Sequence, residues 1–236
     1  MHKEINKLAD HVILCGGGRV GGYILEELKL SGLPFALLEQ DEKKILELQE
    51  KFGDFPALGG DATRDEDLLA VGIKSASGII SALADDKDNL CIVVPCRQLN
   101  PGLHIITRCR SGEFSSKLKL LGADVVMPNF IGGLRMASQM VRPKTVYYLD
   151  VMLRDKKNIV RIEDVTITEK SGIAGKEISS INFKEYGNLL LLAVMDAGAN
   201  QIRYNPAGSY CLQSGDTMIF QAELEALKKF RKKNSL

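Results

Sequence analysis

Apolar positions in the first half of this chain come in short blocks. Nearly continuous apolar runs fall at 12–15, 35–38, 55–58, 78–83, 103–107 and 125–127. Between them, at 20–31, 41–52, 64–72, 86–98 and 111–121, apolar residues recur with helical spacing. Short runs that are apolar throughout suit strands buried on both faces, the situation of a parallel sheet covered by helices. Regular alternation of the two patterns predicts a Rossmann-like, doubly wound α/β sheet of six strands, complete by about residue 128. Residues 1–10 are polar, with helical spacing, and precede the first strand.

After Pro128-Asn129, which marks a stop, the pattern changes. Residues 130–142 read as a helix with apolar positions at Ile131, Leu134, Met136, Ala137, Met140 and Val141, ended by Pro143. A second short helix follows over about 144–153. These apolar faces lie outside the sheet and need another surface to cover them, for which a partner subunit is the natural candidate. Beyond the charged stretch Asp155–Asn158, short β-rich runs appear at Val160–Ile162, Val165–Ile167, Leu189–Met195, Gln201–Tyr204 and Thr217–Gln221. Helical pieces at Ile173–Ile178 and Ala222–Lys232 accompany them, so 158–236 reads as a small α+β domain. The expected organisation is a leader (1–10), a doubly wound domain (11–128), crossover helices (129–157) and the α+β domain (158–236).

Composition narrows the function classes. The 236 residues are 45% hydrophobic and 26% charged, as in ordinary globular proteins, and the net charge of +1 provides no global field for nucleic acid or acidic lipid. No apolar run approaches the roughly 18 residues that a membrane span needs, and there is no signal peptide, so the expectation is a soluble, cytoplasmic chain. The five cysteines form no C-x-x-C pair and sit mostly in apolar runs, which points to buried, reduced thiols. His2, His11 and His104 are too scattered to suggest a metal site. The basic run Lys228, Lys229, Arg231, Lys232 and Lys233 closes a helix, where cations complement the dipole.

The candidate chemistry lies at the first strand. Gly16, Gly18 and Gly21 supply G-x-G-x-x-G between an apolar run and a helical one. Gly16 permits the turn, Gly18 lets the backbone approach a pyrophosphate, and Gly21 permits close packing, while free N–H groups at the helix start face an anion. Glu39 ends the second apolar run, where it can accept from both hydroxyls of an adenosine ribose and repel a 2′-phosphate. The pattern therefore predicts an adenine nucleotide or NAD rather than NADP.

Further motifs make the reading more specific. Gly60-Asp61-Ala62-Thr63 follows the third strand and Ala84-Asp85-Asp86-Lys87-Asp88-Asn89 the fourth. Leu99-Asn100-Pro101, Arg108 and Leu121-Gly122-Ala123-Asp124 come next, with Gly175-Lys176, Tyr186-Gly187, Asn205-Pro206 and Gly215-Asp216 in the last domain. With CGGGRVGG, this set resembles an RCK (regulator of K⁺ conductance) protein, a TrkA-N domain followed by a TrkA-C domain, across essentially the whole chain. The leader from Lys3 to His11 looks like the segment joining a two-helix potassium pore to its cytoplasmic part, and Gly132 to Asp155 is likewise channel-like.

The resemblance implies a regulatory ligand, NAD(H) or ADP, ATP or AMP, at the carboxyl ends of the parallel strands. Gly16, Gly18, Arg19, Val20 and Gly21 would form the phosphate loop and Glu39 would hold the ribose, with Asp61, Ala62 and Thr63 near the adenine. Leu83, in the loop after the fourth strand, would flank the second half of a dinucleotide, and Arg108 would reach a phosphate. Asp85, Asp86 and Asp88 can equally cap a helix. Relatives gated by Ca²⁺ carry carboxylates at positions matching Ala82, Arg108 and Arg110, so that metal site is not expected here. The pattern around Ile178–Asn182 and Asn205–Pro206 is not diagnostic for cyclic di-AMP. The resemblance further implies dimers through the crossover helices, an eight-domain ring, and action on a channel pore or a transporter membrane subunit at the inner face of the cell membrane. Catalysis is not expected, because a dehydrogenase needs a proton donor or hydride-site residue beyond the cofactor loop, His104 opens a strand, and no other histidine lies near a strand carboxyl end. The alternatives are a soluble ancillary subunit of a K⁺ transporter and an NAD-dependent oxidoreductase.

Overall fold

The computed structural model describes residues 5, 7–154, 160–198 and 201–236. The leader residues 1–4 and 6 and the expected boundary at Asp155–Asn158 lie outside the described residues. The chain divides into two compact units, one ending at Met136 and the other beginning at Ala137.

In the first unit the alternation becomes β1 (Val12–Cys15), α1 (Arg19–Ser31), β2 (Phe35–Glu39), α2 (Glu42–Phe52), β3 (Ala57–Gly59) and α3 (Asp65–Ala70). It continues with β4 (Gly78–Ser81), α4 (Asp86–Leu99), β5 (His104–Arg108), α5 (Gly112–Leu120) and β6 (Asp124–Val126). All six strands are parallel, in the order β3-β2-β1-β4-β5-β6. β1 therefore sits between β2 and β4, and the loops leaving β1 and β4 diverge, which opens a crevice at the carboxyl edge.

Alternation along the strands sends side chains to two separate cores. Leu14, Phe35, Leu37 and Ala57 pack with Leu25 and Leu28 of α1 and Ile45 of α2. Ile13, Cys15, Leu38, Leu58 and Ile79 pack on the other face with Leu68 of α3, Ile92, Val93 and Cys96 of α4, and Leu118 of α5. Ile5 of the leader is buried in this second core, with Leu8 packed against it. Helix ends follow local chemistry: Gly32 closes α1 with φ 69°, and the side chains of Asp41 and Asp85 cap α2 and α4 by accepting from Lys43 N at 3.0 Å and Lys87 N at 2.7 Å.

Pro128 is not a stop. It is the first residue of α6 (Pro128–Val141), and Pro143 likewise opens α7 (Pro143–Arg154). Proline favours this first position because its missing N–H has no partner there in any case and its φ is already helical. None of the α6 side chains is buried: Phe130, Met136, Met140 and Val141 are 66%, 76%, 85% and 73% exposed.

The second unit holds an antiparallel sheet in the order β7-β10-β8-β9, built from β7 (Val160–Thr166), β8 (Leu189–Asp196), β9 (Gln201–Tyr204) and β10 (Thr217–Glu223). The final helix is α8 (Leu224–Asn234). Phe220, Phe230, Tyr186 and Phe183 form its aromatic centre, with ring centroids 5.2–5.9 Å apart. Two expectations change here. Val160–Ile162 and Val165–Ile167 belong to one strand, because Glu163 and Asp164 continue the ladder with Phe220 and Ile219. Ile173–Ile178 is a turn rather than a helix: Gly175 takes φ 77°, and Glu177 bridges to Cys211. Short 3₁₀ segments follow at Ile178–Ser180 and Phe183–Tyr186.

Candidate functional site

The crevice contains a pocket of about 990 Å³, the upper end of the range for small-molecule sites. One wall is the β1–α1 loop. Gly16 has φ 95°, and a Cβ there would meet Leu83 Cδ2 at 2.9 Å. Gly18 is the N-cap of α1, with open space where a side chain would go. A Cβ on Gly21 would run into the Gly16 carbonyl, so this glycine lets α1 press against its own loop. Gly21 lies behind the wall and does not line the pocket.

Glu39 is buried at the end of β2 and organises the loop. Its Oε2 accepts from Gly17 N at 2.5 Å and its Oε1 from Asp41 N at 3.0 Å, while Lys44 Nζ approaches Oε1 at 3.8 Å. Each carboxylate oxygen has about two acceptor sites, so one remains open on each. Asp61 stands next to it. Its Oδ1 accepts from Thr63 N at 2.9 Å and Thr63 Oγ1 at 2.7 Å, and its Oδ2 from Gln40 Nε2 at 3.0 Å. The Thr63 amide, then its hydroxyl, hold the Asp61 carboxyl below its ordinary range.

The β4 loop forms the opposite side, bolted down by fully buried Asn89. Asn89 Oδ1 accepts from Ser81 Oγ at 2.6 Å and Leu83 N at 3.2 Å, and its Nδ2 donates to Leu83 O at 3.1 Å. Arg108 Nη1 donates to the same Leu83 carbonyl at 3.4 Å. Asp86 accepts from Arg110 N at 2.9 Å and Ser111 N at 3.0 Å, tying α4 to the β5 loop. Of the acidic trio, then, Asp85 caps α4, Asp86 braces the neighbouring loop, and Asp88 faces the pocket.

Gly16, Gly18, Arg19, Val20, Glu39, Asp61, Ala62, Thr63, Leu83 and Arg108 all line this pocket. Sequence reasoning missed Lys44, Arg110, Tyr23, Gln40 and Asn129. Lys44 carried one legible signal, its place one turn beyond the Asp41 cap. Ala82, Arg108 and Arg110 all line the pocket, which puts two cations on this wall. Among the described residues, no group of three or more His, Cys, Asp or Glu could hold a metal ion. His104 opens β5 at the other edge of the sheet, where its Nε2 meets Asp124 Oδ2 at 2.8 Å. His11 is buried, with Nε2 3.0 Å from Val71 O. Among the described residues no helix is long and apolar enough to cross a membrane.

Comparison with known proteins agrees with this architecture. The TrkA-N domain model matches residues 12–128 and the TrkA-C domain model residues 162–234. The chain is 32% identical to probable potassium channel protein 2 of Methanocaldococcus jannaschii, over 97% of this chain and 68% of that protein. It is 28% identical to potassium channel protein 1 of the same organism, over 98% of this chain and 69% of that protein. The solved GsuK RCK domain superposes with a TM-score of 0.50 at 24% identity, covering 94% of this chain and 46% of that one, a likeness of fold.

Proposed function

This chain belongs to the RCK family, a TrkA-N domain followed by a TrkA-C domain, and we propose that it is a regulatory unit governing potassium transport through an adenine nucleotide or NAD(H) bound at the crevice. The observation supporting this reading is one pocket bounded by the glycine loop, Glu39, Asp61 to Thr63, Leu83 and Arg108. The residues fit the ligand. Open space at Gly18 and the free N–H groups opening α1 suit a phosphate, with Arg19 beside them. The spare acceptor sites of Glu39 suit ribose hydroxyls, and the wall at Asp61, Ala62 and Thr63 suits the adenine.

Two of the relatives are potassium channel proteins, and regulation rather than catalysis is the proposed use of the site. A bound ligand biases a conformational equilibrium only by its differential affinity for the two states. Taking a population from 1:99 to 99:1 needs about 5.5 kcal/mol in total. Spread over the eight domains of a ring, that is below about 1 kcal/mol per site, within reach of one re-paired phosphate contact. The exposed apolar side chains of α6 supply a surface for self-association, and the proposed setting is the cytoplasmic face of the membrane beside a pore or transporter subunit.

Calorimetric titration with AMP, ADP, ATP, NAD⁺ and NADH tests the reading. Binding of at least one below millimolar is expected, and its loss in Gly18→Asp with an unchanged far-UV spectrum assigns the loop. No binding by any of the five compounds sinks the reading. Light scattering of the wild type should show dimers or larger rings, and a monomer at high concentration removes the role given to α6.

A further inference from the structure

The half of the crevice away from Glu39 is walled by two guanidiniums. Arg108 ends β5, and its Nη1 reaches Leu83 O only at 3.4 Å. Its Nε is buried and has no hydrogen-bond partner. Arg110, two residues further and exposed, reaches Ala84 O at 3.5 Å through Nη1. Neither side chain has a carboxylate within ion-pair distance among the described residues. The buried carboxylate of Asp86 is already engaged by the Arg110 and Ser111 amides, and exposed Asp88 is the one acidic side chain of this wall. A buried donor without an acceptor is costly, and a guanidinium fork matches phosphate oxygens two at a time.

This arrangement distinguishes among adenine nucleotides. In NAD⁺ the group beyond the pyrophosphate is a nicotinamide riboside, which carries no anion and a cationic ring. Two arginines at that place give it nothing to bind and repel the ring. Resting on the nucleotide reading above, we infer that Arg108 and Arg110 form a terminal-phosphate subsite, so that the pocket takes nucleoside di- and triphosphates in preference to nucleoside monophosphates and NAD⁺. Charge over the whole lining agrees: Arg19, Lys44, Arg108 and Arg110 stand against Glu39, Asp61 and Asp88, one positive charge in excess.

The test is calorimetry of the full chain with AMP, ADP, ATP and NAD⁺, repeated on Arg108→Gln, Arg110→Gln and Arg110→Lys. In the wild type ADP and ATP should bind at least about tenfold tighter than AMP or NAD⁺. Each glutamine variant should lose about that factor for ADP and ATP while AMP changes by less than about twofold, and Arg110→Lys should recover part of the loss. AMP binding as tightly as ADP and ATP overturns the inference and leaves the nucleotide reading standing. So do variants that weaken AMP as much as ATP. Failure of every adenine nucleotide to bind sinks both. If Arg108→Gln does not fold, the wild-type series and the exposed Arg110 variants still decide.

Discussion

Replacing Gly21 by alanine puts a methyl group where the Gly16 carbonyl already stands, its carbon 2.9 Å from the added Cβ and its oxygen closer still. Carbon atoms settle at about 3.5–4.0 Å, so loop and helix must separate by roughly 1 Å. Overpacking of this kind costs about 1–3 kcal/mol, against which alanine regains about 1 kcal/mol over glycine inside a helix. The net is a destabilisation of up to about 2 kcal/mol, or a melting temperature lower by up to about 8 °C for a chain of this length. Binding should fall with it, by about tenfold for each 1.4 kcal/mol of loop contact that the displacement removes. Gly22 is the control. It lies one residue on in the same helix, and a Cβ there meets only Leu48 Cδ2 at 3.7 Å, ordinary contact. Gly22→Ala should keep nucleotide affinity and melt slightly higher than the wild type, by about 0.5–1 kcal/mol of helix propensity. Differential scanning calorimetry and isothermal titration of the two variants side by side give the answer. If Gly21→Ala binds like Gly22→Ala and melts no lower, the close approach of helix to loop is not what demands glycine.

Three further outcomes are expected. Asn89→Ala strands the Ser81 hydroxyl and the Leu83 amide and leaves the Leu83 carbonyl only its long bond from Arg108, and should lower stability by about 2–3 kcal/mol in urea unfolding; a loss below about 1 kcal/mol removes Asn89 as the bolt of the β4 loop. Asp61 has a folded pKa below its unfolded value, so the stability it contributes is present above an unfolded value of about 4 and is lost as pH falls through the folded one. Thr63→Val deletes the hydroxyl, the second-largest of the causes that lower it, and should raise the Asp61 titration midpoint seen by carboxyl NMR, and a static midpoint contradicts the assignment. Thiol reagents should label exposed Cys91 and Cys211 promptly and spare Cys15, Cys96 and Cys109 until the protein unfolds, since all three are buried, Cys15 is pushed up strongly by that burial and Cys96 to about 12; rapid labelling of a third thiol refutes this.

The sheet was legible because a parallel strand buried on both faces leaves a run with few polar interruptions, and the runs here are bounded mostly by glycine, proline or a charged residue. The glycines were legible for a similar reason, since a left-handed φ at Gly16 and a forbidden Cβ at Gly21 leave no other residue type. Arg108 could be named because strand ends in such a sheet converge on one edge. Lys44 and Arg110 could not, because they reach the pocket through the rotation of α2 and the course of the β5 loop, neither of which is a periodic feature of sequence. Pro128 misled through a real ambiguity: proline both terminates helices and opens them, and only the preceding backbone decides, whereas the break expected at Pro143 does separate two helices. Ile173–Ile178 had helical spacing over too few residues to outweigh the left-handed turn at Gly175. Glu39 was assigned to a ribose from its position, while its contact with Gly17 N, which fixes the phosphate loop, needs the fold to bring residues 17 and 39 together.

That contact bears on where a ligand's differential affinity arises. A site can bias two conformations only through contacts that differ between them. The glycine-loop side is already fully braced: Gly16 N donates to Leu38 O at 2.9 Å, Gly17 N to Glu39 at 2.5 Å and Asp41 N to Glu39 at 3.0 Å, so a ligand there gains affinity with little to rearrange. The β4–β5 side has slack, with guanidinium hydrogen bonds at 3.4 and 3.5 Å and an unpartnered Nε. Long hydrogen bonds are weak ones, and replacing them with charge-assisted contacts to a phosphate costs little and returns much. Both arginines hold carbonyls of the same loop, Leu83 and Ala84, and Leu83 also packs against Gly16. Drawing the guanidiniums toward a ligand therefore releases the β4 loop from one side while Asn89 grips it from the other. On the proposed reading, the contacts able to differ between two states are those of Arg108 and Arg110, and the glycine loop would supply binding common to both.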